Sequence, residues 1–351
     1  MHMADALISP AVGGTMMAAS AGLIAYSAKK LKNEMDDSKV PLMGVMGAFI
    51  FAGQMINFTI PATGSSGHIG GGILLAILLG PWAAFLTIAS VLVVQALFFA
   101  DGGLLALGCN IFNLGFFPCL IIYPFVFKKI MGSSFTRGKL FFATTLSAIL
   151  GLQLGAFCVV IETLASGISE LPFGTFVLLM QPIHLAIGIV EGLASAAVVL
   201  FIHTMQPEII EGTKVSTSAL SFKKVLATLV VLAAITGGLF SWFASAFPDG
   251  LEWSMFKTAG VEELEKPKNP IYGILESIQE KTAFLPDYDF KAEPEAAPPA
   301  GEDPAAPEPE EASWPAVSPG TSLSGIIGGA LTLIIAVLFG FAVRKRKVVE
   351  S

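Results

Sequence analysis

The first two residues, Met1 and His2, can offer a transition metal three nitrogen atoms at once. These are the α-amine of Met1, the backbone amide nitrogen of His2 once it is deprotonated, and an imidazole nitrogen of His2. They close fused small chelate rings, so little entropy is left to lose after the first nitrogen binds. A planar nitrogen set suits Ni²⁺, Cu²⁺ and some Co²⁺ sites better than Zn²⁺, which prefers a tetrahedron. The prediction requires Met1 to stay on the chain, and the alternative is that His2 is a solvated terminal residue.

A second histidine, His68, lies in a glycine-rich stretch that is nearly free of side chains, residues 64–72. Such a loop can fold down and bring the imidazole of His68 onto a metal at the N-terminus as its fourth nitrogen. The alternative is that the glycines serve close packing between helices. The residues alone leave both interpretations open, and Met1, His2 and His68 are the candidate metal ligands.

The composition predicts an all-α polytopic membrane protein. Of the 351 residues, 54% are hydrophobic and only 13% are charged, and the mean hydropathy is +0.74. Apolar runs long enough to cross a bilayer recur along the chain. The net charge of −7 arises mainly from residues 249–311. The other loops lean basic, and nothing in the chain favours binding of nucleic acid.

The distribution of lysine and arginine predicts which side of the membrane each loop faces. Basic residues cluster at 128–139 and at 344–347, which are therefore expected in the cytoplasm. With the N-terminus outside, one span leads inward and a second leads back out. His68 then faces the same side of the membrane as Met1, as a shared metal site requires.

Nine spans are predicted, with the C-terminus in the cytoplasm. The region between residues 69 and 128 must cross an odd number of times, and three spans of about 19 residues fit there. Breaks are expected near Gly80-Pro81 and near Asp101-Gly102-Gly103. The other spans are expected at about 9–29, 41–60, 140–166, 178–204, 223–246 and 323–343.

The spans divide the chain into two predicted units. The first unit, residues 1–205, is a seven-helix bundle that carries the candidate ligands. A cytoplasmic linker, 206–222, leads to the second unit, 223–351, in which two spans flank a long extracytoplasmic loop. The distal part of that loop, about 291–320, is rich in proline, alanine and glutamate and is predicted to be a disordered spacer.

Polar residues at membrane depth are functional candidates, because their burial in lipid is costly. His184 and Glu191 are seven residues apart on one helix face, which favours a structural pair over an ion path or a partner contact. Asp5 is expected either to orient His2 or to cap the first helix. The remaining residues of this kind are Asp101, Asn110, Asn113, Gln153 and Glu162.

No sequence pattern supports an enzyme or a tightly bound cofactor. Residues 132–139 resemble a phosphate-binding loop, but the glycine spacing is one residue too long and Leu140 replaces the required serine or threonine. Any ATP hydrolysis must therefore belong to another subunit. The cysteines are predicted to be buried free thiols, since they lie in apolar stretches without metal-like spacing: Cys109, Cys119 and Cys158.

The start of the chain, Met-His-Met-Ala-Asp-Ala-Leu-Ile-Ser-Pro, resembles the N-terminus of the CbiM/NikM proteins. These are the substrate-binding membrane components of energy-coupling-factor transporters for cobalt and nickel. The likeness covers about residues 1–205 and includes the His68 loop. In the second unit, Pro-Asp-Gly-Leu-Glu at 248–252 resembles the PDGLE motif of the small accessory N subunit, which is here fused to the first unit.

The resemblance implies a Ni²⁺ or Co²⁺ uptake component in a prokaryotic plasma membrane. It implies that the metal is held by the amine of Met1, the amide and imidazole of His2, and His68. It also implies partners: a transmembrane coupling protein of the CbiQ/NikQ kind and cytoplasmic ATPases of the CbiO/NikO kind. The planar site and the fused unit favour nickel, and cobalt stays open.

Two functions of other classes remain open from the sequence. One is a divalent-cation channel that works alone, which uptake into vesicles without an ATPase would reveal. The other is a membrane metal sensor with the acidic loop as its output region, for which deletion of residues 249–320 would abolish function but preserve metal binding.

Overall fold

The computed structural model describes residues 2–36, 38–132, 134–169, 171–211, 220–261, 264–291 and 314–344. The protein is an all-α multi-pass membrane protein, as the composition predicts. Within the described residues, seven helices are long and apolar enough to cross a bilayer. Of the predicted 206–222 linker, the described part is 206–211 and 220–222, and most of the predicted disordered spacer lies outside the described residues.

The first unit contains eight helices and one β-hairpin in its described part. The chain enters the bundle through a short 3₁₀ turn at Asp5–Leu7. The helices are α1 Pro10–Glu34, α2 Lys39–Gln54, α3 Gly72–Leu79, α4 Pro81–Phe98, α5 Leu107–Met131, α6 Arg137–Ser166, α7 Phe173–Met205 and α8 Pro207–Glu211. The hairpin pairs β1, Phe58–Ile60, with β2, Ser65–Gly67, in antiparallel register and lies between α2 and α3.

The second unit begins with α9, Leu220–Gly238, and ends with α12, Pro319–Val343. Between them lie α10, Gly250–Ala259, and α11, Pro270–Thr282. Two 3₁₀ turns, Phe240–Phe243 and Pro286–Tyr288, flank this part of the chain. The sequence predicts only a long loop between the two spans of this unit, whereas the described part of that segment contains the regular helices α10 and α11.

The prediction of three spans of equal length between residues 69 and 128 is wrong in one respect. The chain breaks at Gly80 and near Asp101 as expected, but α3 has only eight residues. At 1.5 Å per residue it is about 12 Å long, far short of the roughly 30 Å of a bilayer core. The residues before it form the irregular His68 loop instead, because Gly71 adopts a left-handed backbone (φ 81°) that begins α3.

Irregular backbone within a membrane is tolerated only where protein surrounds it. All eight residues of α3 are buried, and so are Ser65, Ser66 and Gly67 of β2. The helix packs against α4, α5, α6 and α7, so its polar lead-in is enclosed by the bundle. The fold thus places a flexible, glycine-rich loop inside a ring of helices, where its backbone amides must find partners within the protein.

The helices of the second unit pack directly on the first unit. Both α9 and α12 lie against α2, and they also contact each other. The contact is close because glycines line it: a methyl group on Gly328 would overlap the ring of Phe51, and one on Gly44 would meet the Cγ2 atom of Val337 at 2.5 Å. The two units therefore share one helical core along α2.

Candidate metal centre

The structure brings His2 and His68 together. Their imidazole rings are stacked, with centroids 5.2 Å apart and planes inclined by 23°. His2 comes from the extended N-terminal segment, and His68 follows β2 of the hairpin. The side chain of His2 is only 7% exposed. The two imidazoles are therefore close enough for each to offer a nitrogen to one metal ion after a modest rotation of the side chains.

Among the described residues, each of the two rings has one nitrogen with no hydrogen-bond partner. Nδ1 of His68 lies 3.0 Å from the carbonyl oxygen of Ile69, which fixes the proton on Nδ1 and leaves the lone pair on Nε2. Burial lowers the pKa of His68 to about 3, with the neighbouring His2 adding to the effect, so this ring is neutral. The Nε2 atom of His2 is buried and has no hydrogen-bond partner.

Asp101 holds the other nitrogen of His2. Its Oδ1 lies 2.8 Å from Nδ1 of His2, and its Oδ2 accepts a hydrogen bond from the hydroxyl of Tyr288 in the second unit. Burial by itself would raise the pKa of Asp101, but the donors on His2 and Tyr288 bring it down to about 2. The carboxylate is therefore charged and lies next to the candidate ligands.

The N-terminal segment is anchored at residue 3. The amide of Met3 donates to Oδ1 of Asn110 at 2.8 Å, and its carbonyl accepts from the amide of Gly103 at 2.9 Å and from Nδ2 of Asn110 at 3.3 Å. Met3 itself is fully buried. Because the next residue back is His2, these bonds fix where the N-terminus enters the bundle.

Asp5 performs neither of the two roles predicted for it. Its Oδ1 accepts the backbone amides of Leu105 and Ala106, at 2.8 Å and 3.1 Å, at the turn that leads into α5. The first helix is capped by Ser9, whose hydroxyl accepts the amide of Val12. Asp5 thus ties the N-terminal segment to the start of α5, about 100 residues away in sequence, which no local pattern could reveal.

Two glycines make this anchoring possible. Gly102 has a left-handed backbone (φ 81°), and a Cβ atom there would come within 2.9 Å of Nδ2 of Asn110. A Cβ atom on Gly103 would overlap the carboxylate of Asp5. The glycines after Asp101 therefore allow the N-terminal segment to pass close to this turn.

The predicted pair between His184 and Glu191 is absent. Nδ1 of His184 lies 2.7 Å from the carbonyl oxygen of Met180, one turn back on α7. Glu191 accepts two successive amides of the His68 loop instead: Gly70 donates to Oε2 at 2.6 Å, and Gly71 donates to Oε1 at 3.1 Å. His184 and Glu191 do lie on one helix face. Glu191 nevertheless binds the loop, because the buried backbone amides of Gly70 and Gly71 need a hydrogen-bond acceptor.

Three further polar candidates, Asn113, Glu162 and Gln153, find partners inside the bundle. Nδ2 of Asn113 donates to Oε2 of Glu162 at 2.7 Å, and Nε2 of Gln153 donates to the carbonyl oxygen of Gln181 at 2.7 Å. Cys109 and Cys119 are buried free thiols as predicted, and Cys158 is a free thiol that is half-buried. These groups join α5, α6 and α7 and do not reach the stacked histidines.

Side chains alone do not complete a metal site in the described part of the chain. No group of three or more histidine, cysteine, aspartate or glutamate residues there is close enough to hold a metal ion. A site at His2 and His68 therefore needs nitrogen atoms of the backbone. Met1 lies outside the described residues, so its amine stays a prediction.

A cavity of about 650 Å³ lies over the histidines and is lined by both units. The first unit contributes His2, His68 and Asp101, and the second contributes the region from Ser241 to Asp289. Gln279 of α11 donates to the carbonyl oxygens of Ala96 and Gly102, at 2.9 Å and 2.8 Å. The second unit therefore forms the outer wall of the candidate centre.

Sequence reasoning missed Tyr288 and Gln279, which touch the turn that carries Asp101. Asp287 and Tyr288 both have positive φ values, 50° and 61°. A tyrosine rarely adopts this backbone conformation, so the sequence does not predict the direction of the Tyr288 side chain. The one available signal is the aromatic residue between two aspartates in Pro-Asp-Tyr-Asp at 286–289. Such a tetrapeptide indicates a turn but not what the tyrosine touches.

Comparison with known proteins agrees with this architecture. Residues 2–209 match the family model described as CbiM, cobalt uptake substrate-specific transmembrane region, and residues 223–345 match the PDGLE domain. A putative fused nickel transport protein NikMN of Archaeoglobus fulgidus is 32% identical over 349 residues, which is 98% of each chain. A putative metal transport protein of Haloquadratum walsbyi is 36% identical over 60% of this chain and 93% of its own.

The fold is also similar to solved structures. A crystal structure of a truncated transition metal transporter superimposes with a TM-score of 0.51 at 29% sequence identity, over 61% of this chain and all of that chain. A second structure of a transition metal transporter gives a TM-score of 0.52 over 58% of this chain. The family match spans more than half of the residues and includes His2 and His68. The chain therefore belongs to the CbiM family, cobalt uptake substrate-specific transmembrane region, and carries a PDGLE domain after it.

Proposed function

We propose that the protein is the metal-binding subunit of a Ni²⁺ or Co²⁺ uptake system in a prokaryotic plasma membrane. The main support is the stacking of His2 on His68 beneath a cavity walled by both units. The metal is the cargo, and the protein catalyses no reaction of its own. Named cobalt and nickel transport proteins among the relatives support the same cargo.

The ligands in this proposal are the amine of Met1, the amide and imidazole of His2, and Nε2 of His68. A chelate that includes the amide of His2 closes a six-membered ring through Nδ1 of the same residue. That nitrogen faces Asp101 in the structure. Binding therefore requires Nδ1 of His2 to exchange the carboxylate of Asp101 for the metal, and Asp101 leaves a negative charge close to the cation.

Nickel is the favoured cargo of the two metals. Four nitrogen donors in a plane suit Ni²⁺, and the Archaeoglobus relative that matches along the whole chain is named a nickel transport protein. Energy for release comes, in this proposal, from separate ATPases that act through a transmembrane coupling protein. The loops rich in lysine and arginine face the cytoplasm, and the N-terminus faces outward to meet the metal.

The proposal is tested by calorimetric titration of Ni²⁺ and Co²⁺ into protein tagged only at the C-terminus. One variant carries three glycines between Met1 and His2, which keeps the amine and both histidines but places them too far apart to form one set of fused chelate rings. Loss of a partner that only orients a ligand already costs about 10- to 100-fold in affinity. We therefore expect the insertion to weaken Ni²⁺ binding by more than about 100-fold.

A matched control carries the same three glycines after Gly132, in the loop between α5 and α6, where a side chain at Gly132 would meet open space. It should bind Ni²⁺ like the original chain. Intact-mass measurement checks that Met1 is retained in each protein. Equal affinity in the two insertion variants would refute a chelate at the N-terminus.

A further inference from the structure

The Pro248–Glu252 motif of the second unit lies against the strand that precedes His68. The amide of Ser66 in β2 donates to the carbonyl oxygen of Pro248 at 2.8 Å, and its hydroxyl donates to the carbonyl oxygen of Phe247 at 2.8 Å. Ser66 also forms a parallel β-bridge with Asp249. Ser66 is fully buried, so these bonds are made away from water.

The acidic residues of the motif are used to build its own helix start. Oδ1 of Asp249 accepts the amides of Leu251 and Glu252, at 2.7 Å and 2.9 Å, and Oε2 of Glu252 accepts the amide of Asp249 at 2.9 Å. This reciprocal arrangement is a capping box. It fixes the direction in which α10 leaves the motif and thereby the position of its first turn.

The glycine of the motif allows a close approach to α7. A Cβ atom on Gly250 would lie 2.5 Å from Cγ2 of Ile183 and 3.5 Å from Cε1 of His184. Leu251, the next residue, is buried in the same contact region. Only glycine lets the start of α10 come this near to the helix that also carries Glu191.

The His68 segment is thus held from two sides. Glu191 of α7 binds the amides of Gly70 and Gly71, two and three residues after His68, and the motif binds Ser66, two residues before it. The imidazole lies between these two attachments, with its Nε2 lone pair available and its ring stacked on His2. A displacement of either attachment would move His68 relative to His2.

We propose that the Pro248–Glu252 motif is a clasp that positions His68 for metal binding. It acts by docking on Ser66 and Ile183. This inference rests on the proposed function, because it assigns a role toward the same metal. The motif is the part of the second unit that sets the geometry of the fourth ligand, and its residues are positioning residues.

The test uses the full chain with Gly250→Ala, which puts a methyl group against Ile183. The matched control is Gly273→Ala in α11, where an added Cβ meets open space. We expect Gly250→Ala to weaken Ni²⁺ binding by about 10- to 100-fold, as loss of a ligand's supporting contact does. Gly273→Ala should bind like the original chain.

The spectroscopic readout separates displacement of His68 from general destabilisation. Cu²⁺ bound in a planar nitrogen set shows nitrogen splittings in its electron paramagnetic resonance spectrum, which count the donors. The original chain should show four nitrogens and Gly250→Ala three, since the chelate at Met1 and His2 stays intact. Ile183→Ala removes the clashing Cγ2 atom, so the double variant should regain both affinity and the fourth nitrogen.

A milder pair of variants covers the case in which Gly250→Ala fails to fold. Ser66→Ala removes the bond to Phe247, whereas Ser65→Ala removes a bond to Thr63 within the hairpin only. The clasp predicts weaker Ni²⁺ binding for Ser66→Ala than for Ser65→Ala. Equal affinities in this pair, or a four-nitrogen spectrum with unchanged affinity in Gly250→Ala, would overturn the clasp. If the glycine insertion after Met1 also leaves binding intact, the proposed function itself fails.

Discussion

At the scale of single residues, Glu191 is the buried acidic side chain whose contacts lie nearest to the His68 loop. It is 2% exposed on α7, and its two oxygens accept the amides of Gly70 and Gly71. A glutamine there keeps one acceptor oxygen and points an NH₂ group at an amide that also donates. We expect Glu191→Gln to weaken Ni²⁺ binding by about tenfold and to leave the protein folded, as measured by calorimetry and by size-exclusion chromatography in detergent.

The control for this variant is Gln153→Leu. It removes a hydrogen bond between α6 and α7, to Gln181, without touching the His68 loop. If Gln153→Leu lowers the Ni²⁺ affinity as much as Glu191→Gln does, the carboxylate acts through general packing of the two helices. The role assigned to it at the loop would then be wrong.

The sequence predicted which residues matter better than it predicted what they touch. The sequence indicates His2 by its place beside the N-terminal amine, His68 by its glycine-rich loop and Asp101 by its depth, and the structure brings these three side chains close together. The partners of Glu191 and Asp5 are backbone amides about 100 residues away or more. Side-chain patterns carry no information about which loop leaves an amide unsatisfied, so these contacts could not be predicted.

At the scale of elements, the N-terminal segment depends on α5. Both backbone groups of Met3 bind the side chain of Asn110, which lies on the first turn of that helix. In Asn110→Leu a side chain of similar size cannot satisfy either group. We expect Ni²⁺ affinity to fall by about tenfold, because His2 is no longer held next to His68.

A variant on α1, at a side chain that binds the same turn of α5, supplies the comparison. Ser20 of α1 donates to the carbonyl oxygen of Gly108, so Ser20→Ala removes a buried bond to the same helix turn without contacting Met3. Calorimetric titration of both variants should show a loss of affinity in Asn110→Leu alone. Similar affinities in the two would mean that the segment is held mainly by Asp5 and Gly103.

Elements were predicted most accurately where glycine and proline interrupt an apolar run. The breaks at Gly80-Pro81 and after Phe98 follow from residue types that end helices. The short length of α3 did not follow, because the apolar run from Ile73 to Leu79 gives no sign that the residues before it are irregular but enclosed. Enclosure depends on the surrounding helices, and a single segment does not encode it.

At the scale of the whole molecule, the two units form one body through several contacts, three of which involve different parts of the first unit. The helices α9 and α12 pack on α2, the Pro248–Glu252 clasp binds β2, and the hydroxyl of Tyr272 in α11 donates to the carbonyl oxygen of Ile8 at 2.9 Å. None of these contacts depends on the chain between residues 211 and 220. The covalent fusion should therefore be dispensable once both units are in the membrane.

The packing of the two units on each other predicts the result of cutting the chain. A protease site is placed within residues 212–219, the purified protein is cleaved, and the first unit is recovered through an affinity tag on its own fragment. We expect the second unit to co-purify and the Ni²⁺ affinity to stay unchanged, since the packing on α2 replaces the peptide link. Separation of the fragments, or loss of affinity after cleavage alone, would contradict the shared core.

Substitutions at two neighbouring glycines of α12 distinguish specific packing of the two units from non-specific association of the cleaved fragments. A methyl group on Gly328 overlaps the ring of Phe51, which is fully buried, whereas one on Gly329 stays 3.8 Å from the carbonyl oxygen of Ala48. Overpacking of this kind costs about 1–3 kcal/mol. After cleavage, Gly328→Ala should lose the second unit on the affinity column, while Gly329→Ala retains it. Because the clasp and Tyr272 lie on the second unit, the separated first unit should also bind Ni²⁺ more weakly, and this links the helical core at α2 to the geometry of the metal centre.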